Sequence, residues 1–466
     1  MTPASVVKAF STGVAYLDRS RAMSAAIDPP SRTGRNVPSR RLSRLWHIGR
    51  ATTDLAAGVG VRGMMELARS RRSGEVARIQ LSPEATKRFT DRLARMRGAV
   101  MKMGQLMSMD GTDMFTPEAA AIMAELRDRA EPMPLSQLNR VLETEWGRDW
   151  RRSFRRFEFQ PVAAASIGQV HRVETKDGRR LALKIQFPGV RESIDSDIDN
   201  LGFFARNLGM VPKGMDIGPL LEEARVQLHQ EADYAAEAAA MTRYRALVGD
   251  DADFFVPAVH SDLSTDRILA MDFAAGVSID HLADGGYSRA ERDRAASLLV
   301  RLMIRELFDF GLAQTDPNFG NYLYDPQTKR IVLLDFGAAL PVPGGIAEQY
   351  LALAHGALAD DVDALRAASV GLGYMAADAD AATAEALVAM IRLFAEVLQP
   401  GVYDFRSSDL FERLYVKGRD MYMDEVFNHL PEPITMFLQR KFAGMFMLCR
   451  RLRARVDVRG MLDPYL

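Results

Sequence analysis

The pattern of apolar positions predicts a helix near the start of the folded part of the chain. From Thr86 onward, apolar residues recur at alternating steps of four and three, which places them along one stripe of a helix. The stripe consists of Phe89, Leu93, Met96, Val100, Met103 and Met107. We expect this helix to pack its apolar face against another part of the protein.

Between Phe154 and Phe187 the pattern becomes extended. An alanine-rich stretch and the turn sequence KDG separate the runs RSFRRFEF, GQVHRVET and RRLALKIQF. This arrangement predicts three antiparallel strands. We expect a helix from about Gly218 to Leu247 next, and then short strands in FFVPAVH and RILAMDF.

The chain after Gly276 is predicted to be mostly helical, apart from strand-like runs in YLYD and RIVLLDFG. A small β-rich lobe therefore precedes a larger helical one, and the fold class is α+β. With 466 residues, of which 48% are apolar and 26% charged, the chain can bury a large core in two or three folding units.

Composition excludes several classes of protein. The formal net charge of -1 gives no overall field to attract nucleic acid, so no nucleic-acid partner is expected. Because Cys449 is the single cysteine, an internal disulfide and a multi-cysteine metal site are excluded. No window reaches the roughly 18 consecutive apolar residues that cross a bilayer. We expect a cytoplasmic protein without a transmembrane helix.

The N-terminal 50 residues carry many arginines, few acids, and the Pro, Ser and Gly of an unfolded segment. A solvated basic arm is the favoured interpretation, and a transit peptide or a membrane-surface contact is the alternative. The string GVGVRG matches a dinucleotide-binding motif, but the preceding ATTDLAA is not an apolar strand. We therefore assign no dinucleotide site.

Lys184 lies within the strand sequence LALKIQ. Because alternate side chains of a strand share a face, the flanking leucines point one way and Lys184 points the other, where it can enter a cleft. In EADYAAEA, Asp233 and Glu237 stand four apart on one predicted helix face and would repel without a nearby cation. Glu231 lies about 200 degrees around the helix from Asp233, so it should have a separate partner.

The sequence QTDPNFGNYLYD supplies Asp316, Asn318 and Asn321, and the apolar run IVLLDFG supplies Asp335. A carboxylate that follows a buried strand and precedes Phe and Gly suits Mg2+ binding. Strand lysine, helix glutamate, D-x-x-x-x-N loop and DFG occur in the order of a protein kinase.

This order assigns a phosphotransfer role to each group. Lys184 would pair with the α and β phosphates, and Glu237 would orient Lys184. Asn321 and Asp335 would bind Mg2+, while Asp316 would accept a proton from, or orient, the attacking hydroxyl or water. Asn318 is a candidate helper.

Six ordered segments, KMGQ, AAASIGQVH, LALKIQFPGV, EADYAAEA, QTDPNFGNYLY and LLDFG, resemble the UbiB family of atypical kinase-like proteins linked to coenzyme Q biosynthesis. The resemblance covers roughly residues 85–345, and QTDPN is similar to the mitochondrial and alphaproteobacterial branch. It implies a bilobal protein-kinase-like fold with an N-terminal helical extension. The expected domains are a basic arm (1–84), the extension (85–153), an N-lobe (154–275) and a helical C-lobe (276–466).

The resemblance also implies further site residues. Lys102 and Gln105 of KMGQ would lie over the active site and meet Glu231 and Asp233, while Glu237 keeps the salt bridge with Lys184. ATP or ADP would be bound by Ala163, Ala164, Ala165, Ser166, Lys184 and Met271. Since alanine lacks the φ freedom of glycine, we expect this loop to be stiffer than a Gly-rich one and the nucleotide preference to differ from that of an ordinary kinase.

No A-P-E motif or long activation segment follows DFG, and Gln314 and Thr315 stand where a kinase has His and Arg. The leading hypothesis is therefore a Mg2+-dependent ATPase or small-molecule kinase. The resemblance to the UbiB family implies that it supports handling of isoprenoid quinone precursors. A Ser/Thr protein kinase and a nucleotide-gated, lipid-binding scaffold are the alternatives. Candidate partners are quinone precursors, other quinone-biosynthesis proteins and the surface of the inner membrane.

Overall fold

A computed structural model describes Gly98, Lys102 and residues 132–207, 217–423 and 433–466. The helices are α1 (Leu135–Trp146), α2 (Ile194–Asn207), α3 (Gly218–Glu231), α4 (Tyr234–Val248), α5 (Arg289–Arg305), α6 (Gly344–Ala359), α7 (Val362–Gly371), α8 (Ala381–Phe394), α9 (Leu410–Met423), α10 (Pro433–Arg451) and α11 (Val458–Leu462). The strands are β1 (Phe154–Phe157), β2 (Ala163–Ala164), β3 (Gly168–Thr175), β4 (Arg180–Gln186), β5 (Phe254–Phe255), β6 (Ile268–Asp272), β7 (Val277–Ser278), β8 (Leu312–Gln314), β9 (Tyr322–Tyr324), β10 (Ile331–Leu333), β11 (Ala339–Pro341), β12 (Tyr403–Asp404) and β13 (Arg455–Val456).

The chain divides into two compact units. The first ends at Ala238 and adds Val259–Phe273, and the second contains Ala239–Ala258 and Ala274–Leu466. The division falls inside the segment 154–275 that the sequence suggests as one lobe, because the stretch 239–258 packs with the later helices.

An antiparallel sheet forms the centre of the first unit, in the order β1-β3-β4-β6. The short strand β2 pairs with the beginning of β3. The three strands expected from the sequence correspond to β1, β3 and β4. Leu181, Leu183 and Ile185 are fully buried on one face of β4, as the alternation predicts. Lys184 lies on the opposite face, in register with Val170 of β3 and Leu269 of β6.

The helix expected from about Gly218 to Leu247 is interrupted, which corrects the sequence interpretation. α3 ends at Glu231 and α4 begins at Tyr234. The Asp233 carboxylate accepts the Ala236 backbone N–H at 2.9 Å, so Asp233 caps α4 at its N-terminus. Asp233 and Glu237 therefore do not lie on the face of one continuous helix, and the 200-degree relation to Glu231 does not apply.

The second unit is mostly helical and contains small sheets. β5 pairs in parallel with β10, which also pairs with β9, and β9 pairs with β7. β8 leads into the QTDPN segment and β11 follows the DFG segment, and the two strands pair with each other. One core cluster of this unit joins these strands to the helices through Leu307, Ala313, Val342, Ile346, Leu372 and Leu438.

Two local features lead the chain of the second unit into its candidate site. A capping box, formed by the Ser288 and Glu291 side chains and backbone N–H groups, starts α5. After α5 the backbone widens into a π-helical turn, Glu306–Phe310, and Gly311 ends it at φ 56°, where glycine is unstrained. β8 follows and delivers Asp316. Within the described residues, no helix is both long and apolar enough to span a bilayer.

Candidate active site

The first unit holds Lys184 and Glu237 in a buried ion pair. The Lys184 Nζ atom lies 2.8 Å from Glu237 Oε1 and 2.9 Å from Oε2. Glu237 is 1% exposed, and the Lys184 side chain is 9% exposed. Strand β4 presents the lysine and the first turn of α4 presents the glutamate, so both charges are fixed by regular secondary structure.

Neighbouring groups support this pair. The Tyr234 ring lies below the ammonium, with its centroid 5.2 Å from Lys184 Nζ, a distance typical of a cation–π contact. Gln186, two residues further along β4, donates its side-chain N–H to the Ala232 carbonyl oxygen at 2.8 Å. The break between α3 and α4 is thus attached to the strand that carries Lys184.

The alanine-rich loop is a tight hairpin between β2 and β3. Ala163 pairs with Val170, which pairs with Lys184, so Ala163 and Lys184 project from the same face of the sheet. The Ala165 N–H donates to the Gly168 carbonyl at 2.9 Å and closes the turn. Gly168 must lack a Cβ, because a Cβ there would lie 2.4 Å from the Ile185 carbonyl oxygen.

The nucleotide-site residues differ in exposure. Ala163 and Ala164 are exposed, Ala165 is half-buried and Ser166 is buried. Met271 is buried in β6 opposite Ala182, and its register places it on the same sheet face as Lys184. The fold therefore brings the hairpin, the lysine and Met271 to one side of the sheet.

Lys102 and Gly98 of the N-terminal extension contact later residues of this unit. Lys102 is 2% exposed, and its Nζ atom lies 2.7 Å from Glu231 Oε1 at the end of α3. A Cβ on Gly98 would lie 3.2 Å from the Ile167 side chain and 3.5 Å from the Ser166 carbonyl oxygen. Gly98 thus lies against the alanine-rich hairpin. Gln105 lies outside the described residues.

The second unit brings Asp316 and Asn321 together. The Asn321 side-chain N–H donates to the Asp316 carboxylate at 3.2 Å and to the Asp316 carbonyl at 3.3 Å. The other Asp316 oxygen accepts the Asn318 backbone N–H at 3.3 Å. The Asn318 side chain accepts the Gly320 N–H at 3.0 Å, so it caps the short turn that presents Asn321.

Asp335 follows the fully buried strand β10 and is half-buried. Its Oδ1 atom accepts the Gly337 N–H at 2.9 Å. The Leu334 N–H donates to the Asn321 carbonyl at 3.0 Å, which joins the Asp335 segment to the Asn321 turn. Asn321 and Asp335 are therefore held in neighbouring stretches of backbone.

These residues fit a Mg2+ site of the kinase type. Among the described residues, no group of three or more His, Cys, Asp or Glu side chains could hold a metal by itself. Mg2+ usually keeps water and phosphate oxygens among its six ligands and needs only one or two from protein. The Asn321 amide donates through nitrogen to Asp316, so its carbonyl oxygen, like the Asp335 carboxylate, could serve as a hard oxygen ligand.

Comparison with known proteins identifies the family. A model of the ABC1 atypical kinase-like domain matches residues 125–369. The chain is 35% identical over 429 residues to the "Atypical kinase COQ8, mitochondrial" of Saccharomyces cerevisiae, a match that covers 90% of this chain and 84% of the yeast protein. The chain belongs to the ABC1 atypical kinase-like family. The resemblance to UbiB proteins is therefore confirmed.

Other ABC1-family relatives agree. The chain is 34% identical over 438 residues to the "Atypical kinase COQ8B, mitochondrial" of Rattus norvegicus, which covers 92% of this chain and 81% of the rat protein. A solved structure described as the Rv3197–erythromycin complex from Mycobacterium tuberculosis is similar with a TM-score of 0.56 and 25% identity, covering 82% of this chain and 95% of that one. The protein-kinase-like α+β fold class is confirmed.

The connection after the DFG motif is very short. Gly337 ends the motif, β11 begins at Ala339 and pairs with β8, and α6 begins at Gly344. The Thr315 backbone N–H and hydroxyl both donate to the Ala338 carbonyl, at 3.0 and 2.8 Å. The connection is thus occupied by a strand pairing and has no length for the peptide-docking segment of a protein kinase.

The sequence interpretation missed a buried polar cluster beside this ABC1 site. Lys441 of α10 contacts Glu306 and donates to the Gln314 carbonyl at 2.7 Å. Tyr244 and the Gln314 N–H donate to Glu306 at 2.7 and 3.0 Å. Burial lowers the Lys441 pKa well below its usual value and raises that of Tyr244. The signal available in the sequence was Lys441, a basic residue among the apolar positions of α10.

Proposed function

We propose that this protein is a Mg2+-dependent ATPase of the atypical kinase type that supports ubiquinone biosynthesis. The buried Lys184–Glu237 pair carries the proposal. Desolvating two charges costs about as much as their attraction returns, so such a pair adds little stability compared with apolar residues. Its presence is better explained by a requirement for a positioned ammonium group next to a phosphate.

Each of the other candidate residues would have its own role in phosphotransfer. Lys184 would pair with the α and β phosphates and Glu237 would keep Lys184 extended, under the hairpin of Ala163–Ala164. Asn321 and Asp335 would hold Mg2+, which when bound neutralises charge on the phosphate oxygens. Asp316 would accept a proton from, or orient, the attacking hydroxyl or water.

The client class is proposed from the family. COQ8 relatives are mitochondrial atypical kinases by name, and the UbiB family is linked to coenzyme Q, so we propose isoprenoid quinone precursors as the molecules handled. Other proteins of the same pathway and the membrane surface are the proposed partners. The short connection between Gly337 and Gly344 counts against a Ser/Thr kinase that docks peptides.

ATP hydrolysis by the purified full chain tests the proposal, with and without Mg2+, liposomes and a phenolic quinone-precursor mimic. Asp335→Asn should lower Mg2+-dependent turnover by about 10²–10³-fold, because a metal carboxylate is lost. Asp325→Asn is the matched control. Asp325 also follows a strand and accepts an N–H two residues ahead, from Gln327, at 2.9 Å.

Turnover in the control should stay within about twofold of the parent, since Asp325 lies in a turn outside the proposed site. Absence of turnover in the parent chain under every condition would reject the ATPase, and nucleotide binding without turnover would favour the scaffold.

A further inference from the structure

α10 enters the core of the second unit with a lysine on its buried face. Its buried positions include Thr435, Leu438, Lys441, Gly444 and Leu448, which recur at helical spacing. Lys441 is 2% exposed, and its ammonium reaches both the Glu306 carboxylate and the carbonyl oxygen of Gln314. Leucine would fill such a position at lower desolvation cost, so packing does not explain the lysine.

The Glu306 and Lys441 side chains hold Gln314 from both sides of its backbone. The Glu306 carboxylate accepts the Gln314 N–H at 3.0 Å, and Lys441 donates to the Gln314 carbonyl at 2.7 Å. Glu306 also accepts the Tyr244 hydroxyl at 2.7 Å, which fixes the carboxylate. Gln314 stands two residues before Asp316.

α10 makes a second contact on the other side of Asp316. Gly444 lies three residues after Lys441, on the same helix face, and packs directly against Pro317. A Cβ on Gly444 would lie 2.2 Å from Pro317 Cβ and 2.9 Å from its Cγ. Since carbon atoms pack at roughly 3.5–4.0 Å, the helix and the proline would have to separate by about 1 Å or more.

We propose that Lys441 and Gly444 of α10 are positioning residues that set Asp316 and its partner Asn321 for phosphotransfer; this rests on the proposed function. Residues on both sides of Asp316 are held in place. The Lys441–Glu306 pair holds Gln314, and the backbone of Gly444 packs against Pro317. Thr315 is held in turn by the Ala338 carbonyl. The helix therefore determines where the loop between β8 and β9 places its carboxylate.

Gly444→Ala tests the positioning role, and Gly418→Ala is the matched control. Both glycines lie inside helices, but a Cβ on Gly418 would meet the nearest atom, Met390 Cε, at an ordinary 3.6 Å. In Gly444→Ala, kcat should fall by about 100-fold, because a displacement of about 1 Å in a catalytic group has that effect. Gly418→Ala should keep its kcat within about twofold of the parent.

A second readout does not require turnover. Binding of a fluorescent ATP analogue is titrated with Mg2+, and the Mg2+ concentration for half-maximal binding should rise about tenfold in Gly444→Ala, since displacing groups that orient a ligand weakens metal sites. If the parent binds nucleotide but does not hydrolyse it, the ATPase proposal fails while this shift still reports on Asn321. An unchanged kcat and an unchanged Mg2+ midpoint in folded Gly444→Ala would overturn the positioning role.

Pro317→Gly supplies a third arm, because it removes the carbon that the new methyl would strike. In that background Gly444→Ala should change kcat and the Mg2+ midpoint by less than about twofold, so the two changes are coupled. If Gly444→Ala alone does not fold, the comparison of Pro317→Gly with and without Gly444→Ala still tests the proposal. Equal losses in both backgrounds would show that Gly444 does not act through Pro317, and the proposal would be rejected.

Discussion

The Lys184–Glu237 site in the first unit and the Asp316–Asn321–Asp335 site in the second are held by different kinds of interaction. The first is a buried ion pair on a strand and a helix. The second consists of short loops whose carboxylates accept backbone N–H groups from Asn318 and Gly337, and these carboxylates are only partly buried.

Because of this difference, we expect substitutions at the two sites to affect stability and catalysis differently. Changing one member of the ion pair leaves a buried charge, so the fold and the function should suffer together. Changing a loop carboxylate leaves an atom that can still accept its N–H bond, so function should suffer alone. Each substitution below tests this difference between the two sites.

The largest expected effect on stability is in the first unit. Lys184→Met removes the ammonium from the Glu237 carboxylate and should lower the unfolding free energy by about 3–5 kcal/mol, measured by urea titration. Replacing both residues, as Lys184→Met with Glu237→Leu, should restore much of the loss. An exposed pair provides the control. Arg152→Met, opposite Asp149, should cost less than about 1 kcal/mol. A double variant as unstable as the single one would contradict the interpretation.

Asp316→Asn should act on the reaction and hardly on the fold. The amide oxygen can still accept the Asn318 N–H, whereas the amide nitrogen cannot accept the Asn321 N–H, so we expect the unfolding free energy to fall by about 1 kcal/mol. Turnover should fall by about 10²–10⁴-fold, the usual contribution of a general base. Ubiquinone content in cells that depend on this protein should fall with it. Normal ubiquinone together with lost turnover would point to the scaffold.

Acid should weaken the first unit through His171. Its Nδ1 atom bonds the Glu158 carbonyl and its Nε2 atom bonds the Gln169 side chain. Burial lowers the His171 pKa from 6.5 to about 4, with the Glu158 carbonyl opposing the shift. Because the unfolded chain binds the proton more readily, stability is complete above pH 6.5, declines as the pH falls, and levels off below pH 4.

The stability lost across this range should be about 3 kcal/mol, from 2.5 pKa units. Unfolding free energies from pH 7.5 to 4 would measure it, and His171→Asn should flatten that part of the curve. Amide exchange should show β3 and β4 losing protection before β9 and β10. An unchanged slope in the variant would assign the acid sensitivity to another group.

The smallest effect concerns Asp233. As the N-cap of α4 it should contribute about 1 kcal/mol, and Asp233→Ala should lose that amount. Asp380→Ala is a matched control, since Asp380 caps α8 by accepting the Thr383 N–H at 2.7 Å. If Asp233 also acts with the KMGQ segment, as the family resemblance implies, Asp233→Ala should change nucleotide affinity while Asp380→Ala does not. Equal nucleotide affinity in both variants would leave Asp233 as a cap only.

Local pattern was sufficient for much of the fold and the candidate site. Period-two alternation placed Leu181, Leu183 and Ile185 in the core and Lys184 on the other face. Motif order brought together Asp316 and Asn321. The break before Tyr234 was readable in principle, because aspartate is a strong N-cap, but the alanine-rich flanks on both sides favoured a single helix.

Long-range pairing was not readable. Lys441 and Gln314 are 127 residues apart, and nothing in the local sequence of either identifies the other. A lysine in an apolar helix indicates only that the segment does not cross a bilayer. The register that places Ala163 and Lys184 on one sheet face also needs coordinates, since the turn geometry of the hairpin determines it.

The bond from Lys441 to the Gln314 carbonyl has a consequence for the timing of synthesis. Ribosomes add roughly 5–20 residues per second, so a separation of 127 residues corresponds to a delay on the order of ten seconds. During that interval the nascent chain already contains the strand lysine and the DFG aspartate but not the helix that holds the loop between them. Under the proposed role of α10, Asp316 can be set in position only after this later helix has been made.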